Sequence, residues 1–486
     1  MRFSKTRFIA GLQCKKQLHL RVHHPELASP TEKPATLTGQ VVEAHARLEF
    51  PDGILVEREQ KRADPFAQTQ RLMADPSVTT LFEAGIRDDH LALFVDVLTR
   101  NGEGWTLTEI KASTRIKDAH IDDVAIQALA LTRAGIAIKR FELMHVNNEF
   151  VYPGAHDYRG LFVREDITER VVNHVPAIET GLEELLAVVD GPQPQRYIGS
   201  HCKNPYPCPY QYYCARHDTA YPVGTLPNGY KVAETMHARG IHDIRDIPLE
   251  ALTSELHLRI RRVVRAGKAE LLYGAKDILQ ELAYPRYYLD FECIQFAIPI
   301  WDGTAPFSQN PFQWSCHVEQ ANGELAHYEF LDTSGSNPRR AFAESLLRAC
   351  GDRGPIVVYN AAFERRIIRE TAGEIPELAD SLLALNERIF DLLPVVKQHY
   401  YHPIMKGSWS IKAVLPALVP ELSYADLGTV QDGTQAQSVY FRLINGETDA
   451  DEKATMRQDL LNYCRLDTLA MVKIVAAIIS GEEALA

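Results

Sequence analysis

Two acidic residues stand two positions apart in the apolar segment 287–292 (Tyr-Tyr-Leu-Asp-Phe-Glu). Strand side chains alternate between faces, so Asp290 and Glu292 would point one way while Leu289 and Phe291 point the other. Two like charges on a buried face are costly unless a cation neutralises them. The segment therefore predicts a strand that offers carboxylate ligands to a divalent metal. An exposed edge strand with two solvated acids is the alternative.

Later residues can complete this site. A short apolar strand at 356–358 precedes a predicted helix, in which Asn360 is the expected N-cap and Glu364 lies in the first turns. Near the end of the chain, Tyr463 and Asp467 lie four residues apart, so they share one face of a predicted helix. Asp391 is an alternative to Glu364 as a ligand.

A second set of candidate catalytic residues lies in two strand-like runs, 91–100 and 105–111, that flank an Asn-Gly turn. In a hairpin symmetric about residues 102 and 103, Asp96 lies directly across from Glu109, and Lys111 shares the face of Glu109. Like charges placed opposite each other destabilise a bare hairpin, whereas a bound cation would make them a site. A salt bridge between Glu109 and Lys111 on an ordinary hairpin is the alternative.

Cysteines form a third set. Three of them fall within a loop rich in Pro and Tyr, and a metal site built on three thiolates lacks one ligand, for which Cys14 is the expected source. Four thiolates suit a [4Fe–4S] cluster, a zinc site is the second interpretation, and buried free thiols are the third. The loop residues concerned are Cys202, Cys208 and Cys214, with His201 and His217 as substitutes if Cys14 is not a ligand.

The hairpin pattern resembles the core of PD-(D/E)XK nucleases. Gln127, on a predicted helix (119–133) that also carries Asp123, resembles the glutamine that follows Glu-x-Lys in the RecB-like branch. Leu131 stands where that branch often has tyrosine, and Glu43 and His45 are the candidates for its upstream ligand. The wide cysteine spacing is similar to the iron–sulfur staple of RecB-like nucleases, including the CRISPR-associated ones. The resemblance implies a [4Fe–4S] cluster ahead of zinc.

The pattern Asp-x-Glu, Asn-x-x-Phe-acid and Tyr-x-x-x-Asp resembles the DEDD exonucleases of the ribonuclease H-like fold, in the branch marked by tyrosine. That family carries Asp where this chain has Glu364. The resemblance implies that four acids hold two Mg²⁺ or Mn²⁺ ions, that Tyr463 orients or helps deprotonate the attacking water, and that cleavage runs 3′ to 5′. The four acids are Asp290, Glu292, Glu364 and Asp467.

Taken whole, the chain resembles a bacterial family that joins a RecB-like nuclease segment to a C-terminal domain of unknown function. The fold class expected is α/β in three parts. Residues 1–220 form a PD-(D/E)XK restriction-endonuclease-like domain with the cysteine site, residues 221–283 a helical connector, and residues 284–486 a ribonuclease H-like domain. At 486 residues, the chain is long enough for two or three domains.

Composition narrows the function classes. The net charge of −12 gives no overall attraction to nucleic acid, so any such contact must come from local basic patches. No apolar run reaches the length of a membrane span, and the first residues do not form a signal peptide, so a cytoplasmic location without membrane contact is expected. The sequence contains no Walker-type phosphate loop, so no ATP-driven motor is expected in this chain. A helicase partner would have to be encoded separately.

The function expected is therefore that of a metal-dependent nuclease with two candidate centres. It would hydrolyse phosphodiester bonds of DNA, in single strands or from ends, in repair, recombination or defence. DNA is expected ahead of RNA as the nucleic-acid partner. The alternatives are a 3′–5′ exonuclease that processes RNA, since 2′-OH contacts cannot be identified from the sequence, and a non-catalytic nucleic-acid-binding subunit with vestigial sites.

Overall fold

A computed structural model describes residues 2–29, 34–57, 64–215, 219–424, 427–446 and 448–481. The chain divides into two compact units. Unit 1 comprises Met1–His217 and Phe296–Phe307, and unit 2 comprises Asp218–Gln295 and Ser308–Ala486. Both units combine helices with mixed sheets, so the protein is of the mixed α/β class.

The unit boundaries can be compared with the three predicted parts. The described residues of the expected connector, 221–283, belong to unit 2. Phe296–Phe307, expected within the third part, belongs to unit 1. There Tyr152 N donates to Thr304 O at 3.0 Å and Gly303 N donates to Tyr152 O at 2.8 Å. A segment distant in sequence thus supplies part of the packing of unit 1.

Unit 1 is built on a six-stranded sheet with helices against it. Its helices are α1 (Lys5–Gln13), α2 (Lys15–His23), α3 (Pro34–Arg47), α4 (Pro65–Ala74), α5 (Asp118–Arg133), α6 (Thr168–Asp190) and α7 (Gln211–Ala215). Its strands are β1 (Gly53–Leu55), β2 (Thr80–Arg87), β3 (Ala92–Asn101), β4 (Gly104–Lys111), β5 (Ile138–Val146) and β6 (Phe162–Asp166).

The strands of this sheet follow their order along the chain, β1 to β6. The pairs β1–β2 and β4–β5 are parallel and the other three are antiparallel. The hairpin β3–β4 turns at Gly102, whose φ of +58° suits glycine. Apolar faces of α1, α5 and α6 cover one face of the sheet through residues such as Phe8, Leu129 and Leu182. This packing fixes the hairpin against three helices.

Unit 2 is built on a five-stranded sheet and a short two-stranded one. Its helices are α8 (Tyr230–Ala238), α9 (Glu255–Ala266), α10 (Ala275–Gln280), α11 (Arg339–Cys350), α12 (Ala362–Glu374), α13 (Ala379–Glu387), α14 (Leu392–His399), α15 (Ile411–Leu418), α16 (Gly433–Asn445) and α17 (Ala450–Ser480). Its strands are β7 (Glu270–Leu271), β8 (Arg286–Ile294), β9 (Asn310–Glu319), β10 (Leu325–Leu331), β11 (Ile356–Val358), β12 (Ile389–Asp391) and β13 (Tyr400–Tyr401).

The five-stranded sheet has the order β10-β9-β8-β11-β12, with β8 in the centre. Strands β10, β9 and β8 pair antiparallel, while β8–β11 and β11–β12 are parallel. Leu289 and Phe291 of β8 lie in one hydrophobic core with Phe342 of α11 and Ile367 of α12. Alternation therefore turns Asp290 and Glu292 to the opposite face, as the sequence predicts.

Candidate metal centres

The β3–β4 hairpin places two acids side by side in unit 1. The observed pairs, from Val97↔Thr108 to Asn101↔Gly104, confirm the predicted register. One further step in that register sets Asp96 opposite Glu109. Asp96 Oδ2 also accepts a hydrogen bond from Ile110 N at 2.9 Å. The carboxylate of Asp96 is thus fixed against β4.

Glu109 is the most enclosed acid of this centre, with no exposed surface. Its Oε1 lies 2.5 Å from Lys111 Nζ and 2.7 Å from Lys5 Nζ, and its Oε2 accepts a hydrogen bond from Gln127 Nε2 at 2.7 Å. The structure therefore brings together three of the predicted residues and adds Lys5 from α1, which sequence reasoning did not place here.

Asp123 of α5 is a further member of this centre. Its carboxylate pairs with Lys111 and lies 3.6 Å from Lys5 Nζ. Asp123 was predicted to share a helix with Gln127, without a role in the site. Its position follows from helical spacing, because residues four apart share a face and Gln127 Nε2 also donates to Asp123 O at 2.9 Å.

A set of three carboxylates adjoins the hairpin. Glu43 of α3, Glu83 of β2 and Asp96 offer ligand atoms that all lie within 4.8 Å of one another. Glu83 has a left-handed φ of +55° and falls opposite Asp96 in the register of β2 with β3. Arg47 Nη2 bridges the two glutamates, at 2.6 Å from Glu43 and 2.9 Å from Glu83. Carboxylate oxygens at these separations can hold Mg²⁺ or Mn²⁺.

Of the two upstream candidates, only Glu43 reaches this set of acids. The ring of His45 lies edge-on to Tyr158, and its Nδ1 is 3.0 Å from Val41 O. Glu83 was missed in the sequence. Its only signal was a lone acid within the otherwise apolar run of β2.

The hairpin acids differ in their electrostatics. Burial and the negative charge of Glu109 raise the pKa of Asp96 to about 7, against the opposing effect of Lys5 and Lys111. Burial would also raise the pKa of Glu109, but Lys111 and Lys5 hold it well below its usual value. Glu109 is thus a fixed anion between two lysines. A cation bound near Asp96 would stabilise the ionised form of that carboxyl and so lower its pKa.

The four predicted cysteine ligands line one cavity of unit 1. Cys14 lies between α1 and α2, while the others lie on the loop 202–214, and all four are free thiols. Gln13 Nε2 ties the end of α1 to this loop by donating to His201 O at 2.7 Å and Tyr206 O at 2.6 Å. His201 is next to the set, its Nε2 lying 3.6 Å from Cys202 Sγ. His217 lies outside the described residues.

The electrostatics of these thiols suit a bound cationic centre. Burial raises the pKa of Cys208 to about 11, and the neighbouring thiols Cys202, Cys14 and Cys214 add to the rise. Burial likewise raises the pKa of Cys202 and Cys214. Because the pKa values of Cys202, Cys208 and Cys214 are raised, these thiols would ionise only with a metal or cluster to neutralise them.

A third candidate centre lies in unit 2, on the face of β8 away from the Leu289 core. Asp290 and Glu292 of β8 and Asp467 of α17 offer carboxylate atoms that all lie within 4.8 Å of one another. Tyr463, one turn before Asp467, is 5% exposed and belongs to the same buried face of α17. The predicted convergence of β8 with the last helix is confirmed.

These acids are poorly solvated. Burial and repulsion from Asp467 raise the pKa of Glu292 to about 8, opposed by Lys412. Burial and the neighbouring acids raise the pKa of Asp290 well above its usual value. Burial also raises the pKa of Asp467, but only to about 6, because Tyr424, Lys412 and Tyr463 stabilise its charged form.

Two residues near this centre were not predicted. Tyr424 donates a hydrogen bond to Asp467 Oδ1 at 2.5 Å. Lys412 Nζ lies 5.2 Å from the centre of the Tyr424 ring and 5.0 Å from that of Tyr463. No local period in the sequence relates Lys412 to the acids. The ammonium group of Lys412 thus lies over the rings of Tyr424 and Tyr463, next to the acids.

Glu364 lies in the first turn of α12, as predicted, and is 3% exposed. Burial raises its pKa to about 8, and its charge raises the pKa of Asp290 and Glu292 in turn. Its Oε2 has no hydrogen-bond partner within the described ranges. A buried carboxylate oxygen without a partner is a strained arrangement that a bound cation would relieve.

Asp391, the alternative ligand, has a structural role. Its oxygens accept from Asn360 N at 3.0 Å, Ala361 N at 3.1 Å and Leu393 N at 3.1 Å, which caps α14. The prediction that Asn360 is the N-cap of α12 is wrong. That helix is preceded by Ala361, because Asn360 turns into a left-handed conformation with φ of +72°.

A family model described as a domain of unknown function, DUF2779, matches residues 287–410. The match includes Asp290, Glu292 and Glu364 and ends before Tyr463 and Asp467. It covers a quarter of the chain and carries no assigned activity.

The chain is also similar to uncharacterised proteins of Mycoplasma pneumoniae and Ureaplasma parvum. The first is 28% identical over 218 residues, which is 41% of this chain and 33% of the relative. The second is 27% identical over 234 residues, 43% of this chain and 33% of the relative. The match thus spans about a third of the length of these curated relatives. Separately, none of the helices in the described ranges is both long and apolar enough to cross a membrane.

Proposed function

We propose that this protein is a metal-dependent nuclease that hydrolyses phosphodiester bonds. The observation that carries the proposal is the set Asp290, Glu292 and Asp467, whose ligand atoms lie within 4.8 Å of one another in a poorly solvated site. Three carboxylates in such a place repel one another unless a cation is bound. Divalent cations held by carboxylates are the usual means of cleaving phosphodiesters.

The arrangement around this set supports a ribonuclease H-like DEDD centre. Two acids lie on the central strand of a five-stranded mixed sheet, Glu364 lies at the start of a helix after β11, and Asp467 lies on the last helix. The order and element types are those that the resemblance implies. Glu364 stands where that family has Asp. Among the described residues it is not part of the closely spaced set, but its charge raises the pKa of Asp290 and Glu292.

The residues present fit Mg²⁺ or Mn²⁺, since hard oxygen ligands prevail and one carboxylate oxygen of Glu364 has no partner. Asp290, Glu292, Asp467 and Glu364 would hold the metal. When bound, a divalent ion lowers the pKa of water and stabilises negative charge on a leaving oxygen.

The chain's own residues have distinct tasks at this centre. Tyr424 holds Asp467 in one orientation and keeps its pKa lower than burial alone would. Tyr463 has a pKa raised far above its usual range by burial and by the acids, so it acts as a neutral donor that orients water or substrate. Lys412 supplies a positive charge that can contact a substrate phosphate.

The hairpin centre is the second proposed active site, of the PD-(D/E)XK type. Glu43, Glu83 and Asp96 would hold the metal. Glu109, expected from the sequence as a ligand beside Asp96, would instead position Lys111. Lys111 would stabilise charge that develops on the phosphate. Gln127 would keep Glu109 in place through its hydrogen bond. We propose a [4Fe–4S] cluster for the four cysteines, with zinc as the alternative.

A nuclease assay with Mg²⁺ or Mn²⁺ on end-labelled single- and double-stranded DNA and RNA tests this function. We expect single-stranded DNA to be cleaved in preference to RNA. The double substitution Asp290→Ala, Asp467→Ala should remove cleavage by the C-terminal centre. The double substitution Asp96→Ala, Glu83→Ala should remove cleavage by the hairpin centre. Unchanged metal-dependent cleavage in the chain that carries all four substitutions would show a contaminant and contradict the proposal.

A further inference from the structure

A cavity of about 270 Å³ opens beside the hairpin centre within unit 1. Its wall includes Lys5, Gln17, Arg21, Asp123 and Tyr206. Two of these, Lys5 and Asp123, also belong to the hairpin centre, where Lys5 Nζ lies 2.7 Å from Glu109 and 3.6 Å from Asp123. A molecule in the cavity would therefore contact the centre itself.

The cations of this cavity retain donors for a ligand. An ammonium group has three N–H donors, and Lys5 is within hydrogen-bond distance of Glu109 alone among its three acidic neighbours. Arg21 Nε and Gln17 Oε1 are buried and have no hydrogen-bond partner in the described parts of the chain. The side chain of Gln17 belongs to a residue only 3% exposed. Both side chains line the cavity, so the positive charge of Arg21 lies next to any ligand bound there.

Tyr206 supplies an aromatic wall from the cysteine loop. It is 47% exposed, and its main-chain oxygen accepts a hydrogen bond from Gln13 Nε2 at 2.6 Å. The loop is thus held against α1, while about half of Tyr206 stays exposed to a ligand. Nucleic-acid bases stack on such rings without regard to sequence.

The cavity volume limits the occupant. At about 270 Å³ the cavity lies just below the range of about 300–1,000 Å³ that is usual for small-molecule sites, so it takes at most about one nucleotide and excludes a base pair. A phosphate group suits Lys5 and Arg21, and a single unpaired base suits Tyr206.

We propose that this cavity binds one unpaired nucleotide of a polynucleotide next to the hairpin centre, with its phosphate on Lys5 and Arg21 and its base on Tyr206. The inference rests on the proposed function and deepens it, because it assigns the hairpin centre a substrate with a single-stranded segment.

Binding of a fluorescent single-stranded oligodeoxythymidine, with Ca²⁺ present, tests the cavity without cleavage. The full chain carrying Asp290→Ala and Asp467→Ala is used, so that the C-terminal centre is disabled. We expect Arg21→Ala and Tyr206→Ala to raise Kd about tenfold, and Tyr206→Phe to leave it nearly unchanged. Lys15→Ala is the matched control on α2, because Lys15 is half exposed, pairs with Glu184 and should change Kd by less than about twofold.

A second measurement uses the unsubstituted cavity. A halogenated pyrimidine oligonucleotide, crosslinked by ultraviolet light, should label Tyr206, as read by mass spectrometry. Labels confined to other residues, or Kd values of Arg21→Ala and Tyr206→Ala equal to that of Lys15→Ala, would overturn the inference. If the expected binding losses and the Tyr206 label occur but no divalent metal supports cleavage, the nuclease proposal fails while the binding site stands.

Discussion

The hydroxyl of Tyr424 donates a hydrogen bond to Oδ1 of Asp467 at 2.5 Å, across 43 positions of sequence. The bond has an electrostatic consequence. Burial raises the pKa of Asp467, and Tyr424 is the first of the groups that oppose this rise, so the carboxylate titrates at about 6. Tyr424 thereby keeps one ligand of the proposed metal ionised at neutral pH.

Tyr424→Phe should lower cleavage by the C-terminal centre. The lost hydrogen bond to a charged group is worth about 1.5–3 kcal/mol, so we expect at least about a tenfold loss in kcat/KM at neutral pH. The assay is done in a chain with Asp96→Ala, which leaves only this centre. Tyr440→Phe is the matched control, because the buried Tyr440 hydroxyl has no hydrogen-bond partner in the described residues. Equal activity of the two variants would contradict the role of Tyr424.

Lys412→Met should shift the pH dependence of the same reaction. Lys412 lowers the pKa values of Glu292 and Asp467, so its removal raises both and delays their ionisation. The value of kcat/KM rises with pH as these acids ionise, and we expect the midpoint of that rise to shift to higher pH by about one unit. Lys453→Met is the control, since Lys453 is an exposed cation in the first turn of α17. A superimposable profile for Lys412→Met would rule out this role.

Local patterns in the sequence identified much of both acidic centres. Strand alternation placed Asp290 with Glu292, and the Asn-Gly turn fixed the register that pairs Asp96 with Glu109. Helical spacing placed Tyr463 on the face of Asp467. Each inference depends on residues within one strand, turn or helix, where geometry repeats with a known period.

Residues brought in by tertiary packing could not be predicted in this way. Lys5 lies 104 positions from Glu109, and no local period relates the two. Glu83 depends on a left-handed backbone that a glutamate adopts only when its surroundings impose it. The expected N-cap at Asn360 failed for a related reason, because Asp391 binds the amides there from another strand.

The metal-free protein should lose stability as the pH rises. Glu364 has a folded pKa of about 8 against an ordinary value of 4.5, so its protonated form is favoured by folding. That contribution is fully present below about pH 4.5 and is lost as the pH rises through about 8. In EDTA, Tm should therefore fall between pH 5 and pH 9 by more than in Glu364→Gln, which cannot ionise.

Glu370→Gln provides the control for this measurement, because Glu370 is an exposed acid on the same helix. It should retain the wild-type pH slope of Tm. Added Mn²⁺ should restore the wild-type Tm at pH 8 by binding the ionised carboxylates. An identical slope in Glu364→Gln and wild type would show that Glu364 does not titrate as described.

The cysteine site should bind iron. Protein purified without oxygen should be brown with absorption near 400 nm, as expected if the four thiolates hold a [4Fe–4S] cluster. Cys208→Ser should remove the colour and lower Tm, because the cluster joins Cys14 to the loop 202–214. Cys350→Ala, in the core of unit 2, should keep the colour. Colourless protein that contains zinc would show that the cluster assignment is wrong.

Glu83 should lower the stability of the fold while it contributes a ligand to the proposed metal site. Its φ of +55° costs about 1–2 kcal/mol for a residue other than glycine, and the conformation turns its carboxylate toward Glu43 and Asp96. Glu83→Gly removes this strain but also a proposed metal ligand, so we expect Tm to hold or rise while cleavage by the hairpin centre is lost. Ala155→Gly is the matched control, because Ala155 has a φ of +54° at an exposed position and no carboxylate. It should raise Tm and leave cleavage intact. Full cleavage by Glu83→Gly, measured in the chain with Asp290→Ala and Asp467→Ala, would exclude Glu83 from the centre.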